Sequence, residues 1–379
     1  MSILSRHVKI GLYAIDAWPG VSSSGLFFLV MAYMTFSLIF QILNTTEMIT
    51  QLDLLMNNLQ TTMPVILVVL KLSVFRVKCR SARLIIADML SDWKCINETK
   101  ERKVMMKNAK IAFYLSSTIA ICYNGLILSY LLKAILAYET ENIYDRKYVM
   151  QATFPINAKS SPVFEMLCLF QFTVSVFAAN GHAILEGLLT TSVLHANTKA
   201  FGVCQEITKF AKSCEANKSR KNIVEAKRRL IKRHLYFINF AEKIQETYAY
   251  ISFFHLFLMT LINCIVGYMF INLTINKDNI SALLLCIAYM FTALSAVGSY
   301  CIAGEYLMSQ GSLIFEKLYD CPWYKFKPVD TKTFIIMLMK SRHSVTITAG
   351  NFGDLSLVYF TNIIKTSVSY LSLVRAATN

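Results

Sequence analysis

Seven long apolar runs divide the chain: Gly25–Leu43, Leu59–Phe75, Ile111–Ala137, Pro162–Leu194, Tyr248–Leu273, Ile280–Ile302 and Asp354–Val374. A hydrocarbon core about 30 Å thick takes roughly 20 apolar residues of helix. Helices are required because backbone N–H and C=O groups must be satisfied internally in lipid, and the alternation of a membrane β-barrel is missing. The second run holds Pro64, which a membrane helix accommodates when a neighbour satisfies the freed carbonyl. The fourth run is too long for one crossing, so its tail, with His182, Glu186 and His195, reads as a helix continuing into the cytosol. Between the runs, 205–247 reads as a basic amphipathic helix leading into the fifth span, with Ile207, Phe210, Ile223, Leu230, Leu235, Ile238 and Ile244 near helical spacing. The 304–320 segment repeats that pattern with Tyr306, Leu307, Leu313, Ile314 and Leu318. Together 205–247 and 304–342 form an expected cytoplasmic anchor, its helices packed on one another or on a partner subunit. An amphipathic membrane-surface helix is the alternative.

Charge gives the orientation. Thirty of the 38 Lys and Arg residues fall in 1–24, 76–110, 195–247 and 303–353, whereas 44–58, 138–161 and 274–279 hold Arg146, Lys147, Lys159 and Lys277. Basic connections stay inside, which predicts a cytoplasmic N-terminus and an extracellular C-terminus in a multi-pass plasma-membrane protein. The first run begins at Gly25 without a small-residue cleavage pattern, so it reads as a signal-anchor. The composition, 55% hydrophobic and 16% charged, departs from the about 25% charged residues of ordinary soluble domains. The net charge of +15 sits beside membrane spans, where anionic lipid is the counter-charge, and nucleic acid is not an expected partner. The ten cysteines avoid the outside connections, so no disulfide framework is expected. Asn44, Asn272 and Asn279 open glycosylation sequons at outside turns.

Catalytic and cofactor signatures are missing. The chain has no Gly-x-Gly-x-x-Gly, no phosphate loop, no Gly-x-Ser-x-Gly and no zinc spacing, so neither enzyme activity nor a cofactor is predicted. His182 and Glu186 stand four apart, as acid–base partners do, but one such pair on a long helix is weak evidence. Lys133, Glu165 and Lys71 lie near span ends, where snorkelling explains them. Asp145-Arg146 after the third span continues with Lys147 and not tyrosine, and Asn-Pro-x-x-Tyr does not occur. These points argue against a G-protein-coupled receptor.

The last run is two-sided. Counting 100° per residue from Asn362 places Thr366, Ser369, Leu373 and Ala376 on one face, while Leu357, Phe360, Ile364 and Leu371 cluster on the other. Lys365 and Ser372 flank the polar stripe. A packing face of small residues has this appearance. So does a helix that lines a water path with other copies, in which Leu373 would form an apolar ring closing by dewetting.

The stretch Ser341-Arg342-His343 through Thr348-Ala349-Gly350-Asn351-Phe352, then Leu355-Ser356-Leu357, Phe360, Ile363-Ile364-Lys365, Ser369 and Leu373, resembles the C-terminal signature of insect odorant receptors. Cys321-Pro322-Trp323-Tyr324 and Arg233-His234 with Phe237-Ile238 are similar to that family as well. Where the family often has tyrosine before the matched serine, this chain has Val368, which bears on pore-helix packing.

The resemblance implies an all-α membrane protein with seven transmembrane helices, inverted topology and a cytoplasmic helical anchor. It implies an odorant-binding subunit of a poorly selective, ligand-gated cation channel in olfactory neurons, assembled as a heterotetramer with a co-receptor subunit. The last span lines the pore. A small hydrophobic volatile or lipid-like ligand would bind between spans two, three, four and six. There the matching residues are Met56, Leu59, Met63, Tyr130, Phe170, Val174, Leu283, Ile287 and Met290. A transporter, or a chemoreceptor signalling through a G protein, is the competing class.

Overall fold

The computed structural model describes residues 4–20, 24–95, 99–136, 148–154, 159–216, 219–276, 280–342 and 345–378. Ten α-helices occur among them: α1 (Arg6–Ala14), α2 (Ser24–Glu47), α3 (Leu52–Val77), α4 (Cys79–Cys95), α5 (Thr99–Leu136), α6 (Val163–Glu215), α7 (Arg220–Asn276), α8 (Ile280–Tyr319), α9 (Pro328–Arg342) and α10 (Leu357–Thr378). Six of them, α2, α3, α5, α6, α7 and α8, are long and apolar enough to cross a membrane. With its 22 residues, α10 is long enough to be the seventh, at roughly 33 Å.

The fourth apolar run does continue, as its length demanded: α6 is one helix of 53 residues, roughly 80 Å long at 1.5 Å per residue. The expected single helix over 205–247 is instead divided between the end of α6 and the start of α7. The two run antiparallel. Glu206 meets Arg229, the Lys199 ammonium lies over the Tyr236 ring, and the Tyr248 hydroxyl donates to the Leu185 carbonyl. The sixth run and the 304–320 segment are likewise one helix, α8, of 40 residues. These continuations follow from patterning. Charges rise beyond the apolar stretch, but no Pro or capping signal stops the helix there.

At one end of the bundle, α4 turns its Cys79, Ala82, Ile86 and Met89 stripe inward. An ion pair from Lys243 to Asp88 at 2.6 Å fastens it to α7, and Arg233 of α7, bidentate on Glu101 at 2.7 and 3.3 Å, holds the start of α5 beside it. Asp16 has a left-handed backbone (φ 57°) and binds Arg76 at 2.6 Å and Arg83 at 3.1 Å, which ties α1 to α3 and α4. Among the sequons, Asn44 is buried and its carboxamide oxygen accepts from Thr153, Asn272 donates to Asp53, and Asn279 lies outside the described residues. All ten cysteines are free thiols.

Candidate functional site

A cavity of about 110 Å³ opens between α3, α5, α6, α7 and α8. Its walls are apolar, with Val65 on α3 and Leu126 and Ile127 on α5, and small at Ala178 and Ala179 on α6 and Ala293 on α8. A void persists where side chains are too short to fill it. Met259 and Ile262 of α7, with Val149 and Met150 ahead of α6, add to the apolar lining.

Pro64 shapes the α3 wall. Lacking an N–H, it leaves the Gln60 carbonyl without a helical donor. The Tyr289 hydroxyl donates to that carbonyl at 3.0 Å from α8. The Pro64 carbonyl in turn faces His182 Nε2 at 3.2 Å. That contact assigns the proton of the neutral ring to Nε2 and leaves Nδ1 as an acceptor.

The rest of the cluster follows. Lys71 Nζ reaches His182 Nδ1 at 3.2 Å and Glu186 Oε1 at 3.4 Å, and the Tyr123 hydroxyl donates to the same Oε1 at 2.9 Å. Lys71 is fully buried and also lies 5.0 Å from the centre of the Tyr300 ring. Snorkelling, the expectation for Lys71, is therefore overturned: its ammonium turns into the bundle. Nor are His182 and Glu186 solvent-facing, since both are buried. A charge of each sign, one on α3 and one on α6, meets inside the bundle, and the pairing offsets a desolvation cost that either would meet alone. Opposite charges in two apolar runs were the available signal.

Of the nine residues that the resemblance placed at a ligand site, Tyr130 lines the cavity. The others lie outside its lining. Val174 is buried in the core, and Phe170 packs edge-on to Tyr33 with centroids 4.8 Å apart. Met63 and Met290 are packed against the core, Met56, Leu59 and Leu283 are half-buried, and Ile287 is exposed. The lining is drawn instead from Gln60 to Val65 on α3, from Ser175 to His182 on α6 and from Tyr289 to Ala293 on α8.

The last helix packs by a narrow edge. Ile363 is buried, with Tyr359, Phe360 and Ser367 half-buried along the same edge. Asn362, Lys365, Thr366, Ser369 and Ser372 are exposed. The Thr366, Ser369 and Ser372 hydroxyls donate to backbone carbonyls of their own helix. The side chains of Leu373 and Ala376 lie outside the described residues. The segment before α10 is fixed to α7, because the Gln245 carboxamide oxygen accepts from the Thr348 N–H at 2.7 Å and Gly350 N–H donates to the Ala249 carbonyl at 2.9 Å. Gly350 has φ 59°, a value that suits glycine. Glu305 of α8 caps α10 by accepting from Leu357 N–H at 3.1 Å. Thus α7 and α8 each touch both the cavity and α10.

Where α4, α6 and α7 meet, Asp92 binds Lys199, His195 at 2.8 Å and the Tyr236 hydroxyl at 3.2 Å. Burial pushes the Asp92 carboxyl up, but the His195 hydrogen bond and the Lys199 charge outweigh it and hold the group below the usual carboxylate range.

Comparison with known proteins agrees with this architecture. The family described as 7tm Odorant receptor matches residues 51–368. Odorant receptor 13a of Drosophila melanogaster is 22% identical over 98% of this chain and 89% of its own length. The odorant receptor coreceptor of Aedes aegypti is 27% identical over 38% of this chain and 30% of its own. The insect olfactory receptor OR5 of Machilis hrabei, solved in complex with eugenol, superposes with a TM-score of 0.75 at 14% identity, over 98% of each chain.

Proposed function

The chain belongs to the odorant receptor family, and from that premise we propose that it is the odorant-binding subunit of a ligand-gated, non-selective cation channel in the plasma membrane of an olfactory neuron. Its partner is a co-receptor subunit in a heterotetramer, and its ligand is a small hydrophobic molecule held in the cavity between α3, α5, α6, α7 and α8. The observation that carries the reading is the sharing of α7 and α8. Met259 and Tyr289 line the cavity, while further along the same two helices Cys264 Sγ lies 3.7 Å from the Ser367 carbonyl and Glu305 caps Leu357. A ligand that fits the cavity better in one arrangement of α7 and α8 shifts α10 toward the matching state, by as much as its affinities for the two arrangements differ.

The Asn362, Thr366 and Ser369 stripe turns to the aqueous axis between subunits, flanked by Lys365 and Ser372, with Leu373 as the gate ring and Ala376 beyond it. The end that carries α4 and α9 faces the cytosol, as the basic connections require, so the N-terminus is inside and the C-terminus outside. There 205–247 and 304–342 form the anchor where subunits meet.

The test is a dose–response panel of volatiles and cuticular lipids on cells that express the chain with and without a co-receptor. Cation current that needs both odorant and co-receptor is expected. Uptake without conductance, or signalling that needs a G protein, would overturn the proposal. Robust current without the co-receptor would overturn its heteromeric part.

A further inference from the structure

We infer that the cavity selects apolar molecules carrying one hydrogen-bond-accepting oxygen, such as ketones, esters or ethers, and that the Gln60–Tyr130 pair meets that oxygen. The inference rests on the cavity being the odorant site and adds the chemical class it takes.

Nearly every donor on the lining is already engaged. Tyr289 donates to the Gln60 carbonyl at 3.0 Å and Tyr123 to Glu186 at 2.9 Å. Thr61, Ser175 and Thr292 donate to the carbonyls of Asn58, Gln171 and Ala288. His182 uses one ring nitrogen on the Pro64 carbonyl and the other on Lys71. Glu186, the carboxylate bonded to the lining residue Tyr123, is also taken by Lys71, and no carboxylate is among the lining residues to greet a cationic ligand.

One pair differs. Gln60 Nε2 donates to the Tyr130 hydroxyl at 2.6 Å, so Tyr130 accepts there and its own proton has no acceptor among the described residues. Turning the amide round changes the atoms and not the result. The phenol would then donate to the amide oxygen, leaving the NH2 group unengaged. Either way two neutral donor hydrogens of the pair remain unengaged among the described residues, beside a Gln60 side chain only 6% exposed. A buried donor without a partner is costly, and a ligand oxygen supplies the partner. The rest of the wall gives a hydrocarbon body contact area, and the roughly 110 Å³ of space suits a body of the size of a benzene ring, which an engineered cavity of about 150 Å³ admits.

Matched probes test this on the full chain co-expressed with a co-receptor: methyl n-butyl ketone against the alkene in which methylene replaces the carbonyl oxygen, and anisole against ethylbenzene. In the wild type, the oxygenated member should act at about three- to tenfold lower concentration, the return on one neutral hydrogen bond. Gln60→Met with Tyr130→Phe removes both partners together, and the preference, read as the ratio of potencies within each matched pair, should fall to less than about twofold. Equal potency within the pairs, a preference that survives the double substitution, or no response to any probe would overturn the inference. The wild-type comparison decides the matter even if the double variant fails to reach the surface. Ala293→Phe, which fills the cavity, separates this failure from that of the parent reading. If it abolishes responses to other volatiles, the odorant site stands and only the chemical class is wrong. If it changes no response, the site itself is wrong.

Discussion

The Tyr289 hydroxyl donates to the Gln60 carbonyl at 3.0 Å, the carbonyl that Pro64 deprives of its helical donor. α3 and α8 are thereby joined beside the cavity by a bond that a proline made necessary. Tyr289→Phe should destabilise the receptor by about 1–3 kcal/mol, the cost of an orphaned buried acceptor. Pro64→Ala restores an N–H at the right place, so it should recover much of that loss in the double variant. Thermal stability of detergent-solubilised protein reads both. Additive losses would contradict the assignment.

The Lys71–Glu186 pair makes a second cycle available. Lys71→Met leaves the Glu186 charge buried with Tyr123 as its remaining hydrogen-bond donor, a loss of about 3–5 kcal/mol. Adding Glu186→Gln removes the stranded charge and should restore surface expression. A single Lys71→Met variant that traffics normally would place the ammonium elsewhere.

Gly304 sets how closely α10 is seated on α8. A Cβ there would stand 2.3 Å from Leu355 Cβ and 2.4 Å from the Leu355 carbonyl oxygen, whereas one at Gly298 would meet the Phe360 ring at an ordinary 3.8 Å. Gly304→Ala must push the start of α10 away, an overpacking cost of about 1–3 kcal/mol. Evoked current should fall at unchanged surface level, with Gly298→Ala close to wild type. Equal behaviour of the two variants would separate α10 seating from gating.

Asp330 holds α9 against α7 through Arg220 and through Lys227 at 3.0 Å. Burial raises its carboxyl, but the hydrogen bonds and charges of Lys227 and Arg220 outweigh that and hold it below its ordinary value. A depressed carboxyl contributes stability above its unfolded pKa and loses it as pH falls through the folded one. Hydrogen exchange of α9 in the full chain, taken relative to the intrinsic amide rate at each pH, should therefore be flat between about pH 7 and pH 5 and rise only below about pH 4. Asp330→Asn should raise it at neutral pH. Loosening of α9 already between about pH 7 and 5 would mean that another group controls the seat.

The spans were legible because lipid leaves one solution for apolar runs of that length. The exposed stripe on α10 was legible for a similar reason, since period and polarity coincide at Asn362, Thr366 and Ser369. Pairing across helices was not. Lys71 reads alike in sequence whether it bends to an interface or meets Glu186, because only the crossing of α3 and α6 decides it. The cavity lining was obscured because short side chains open it, whereas bulky apolar residues stand out in a sequence. Bulky residues such as Phe170, Val174 and Met290 fill space, while Ala178, Ala179 and Ala293 leave it. α7 also contributes Met259 and Ile262 from a span outside the expected set.

The central claim is that the exposed stripe of α10 lines a conduit opened by ligand. Cysteine accessibility in the assembled receptor tests it directly. Asn362→Cys, Thr366→Cys and Ser369→Cys, each compared with the parent chain and its native thiols, should react with a charged, membrane-impermeant thiol reagent and lose odorant-evoked current, faster in the stimulated state. Ile363→Cys, on the packed edge, should be spared. Stripe positions that stay unmodified at rest and under odorant, or that react no faster than Ile363→Cys, would contradict the claim.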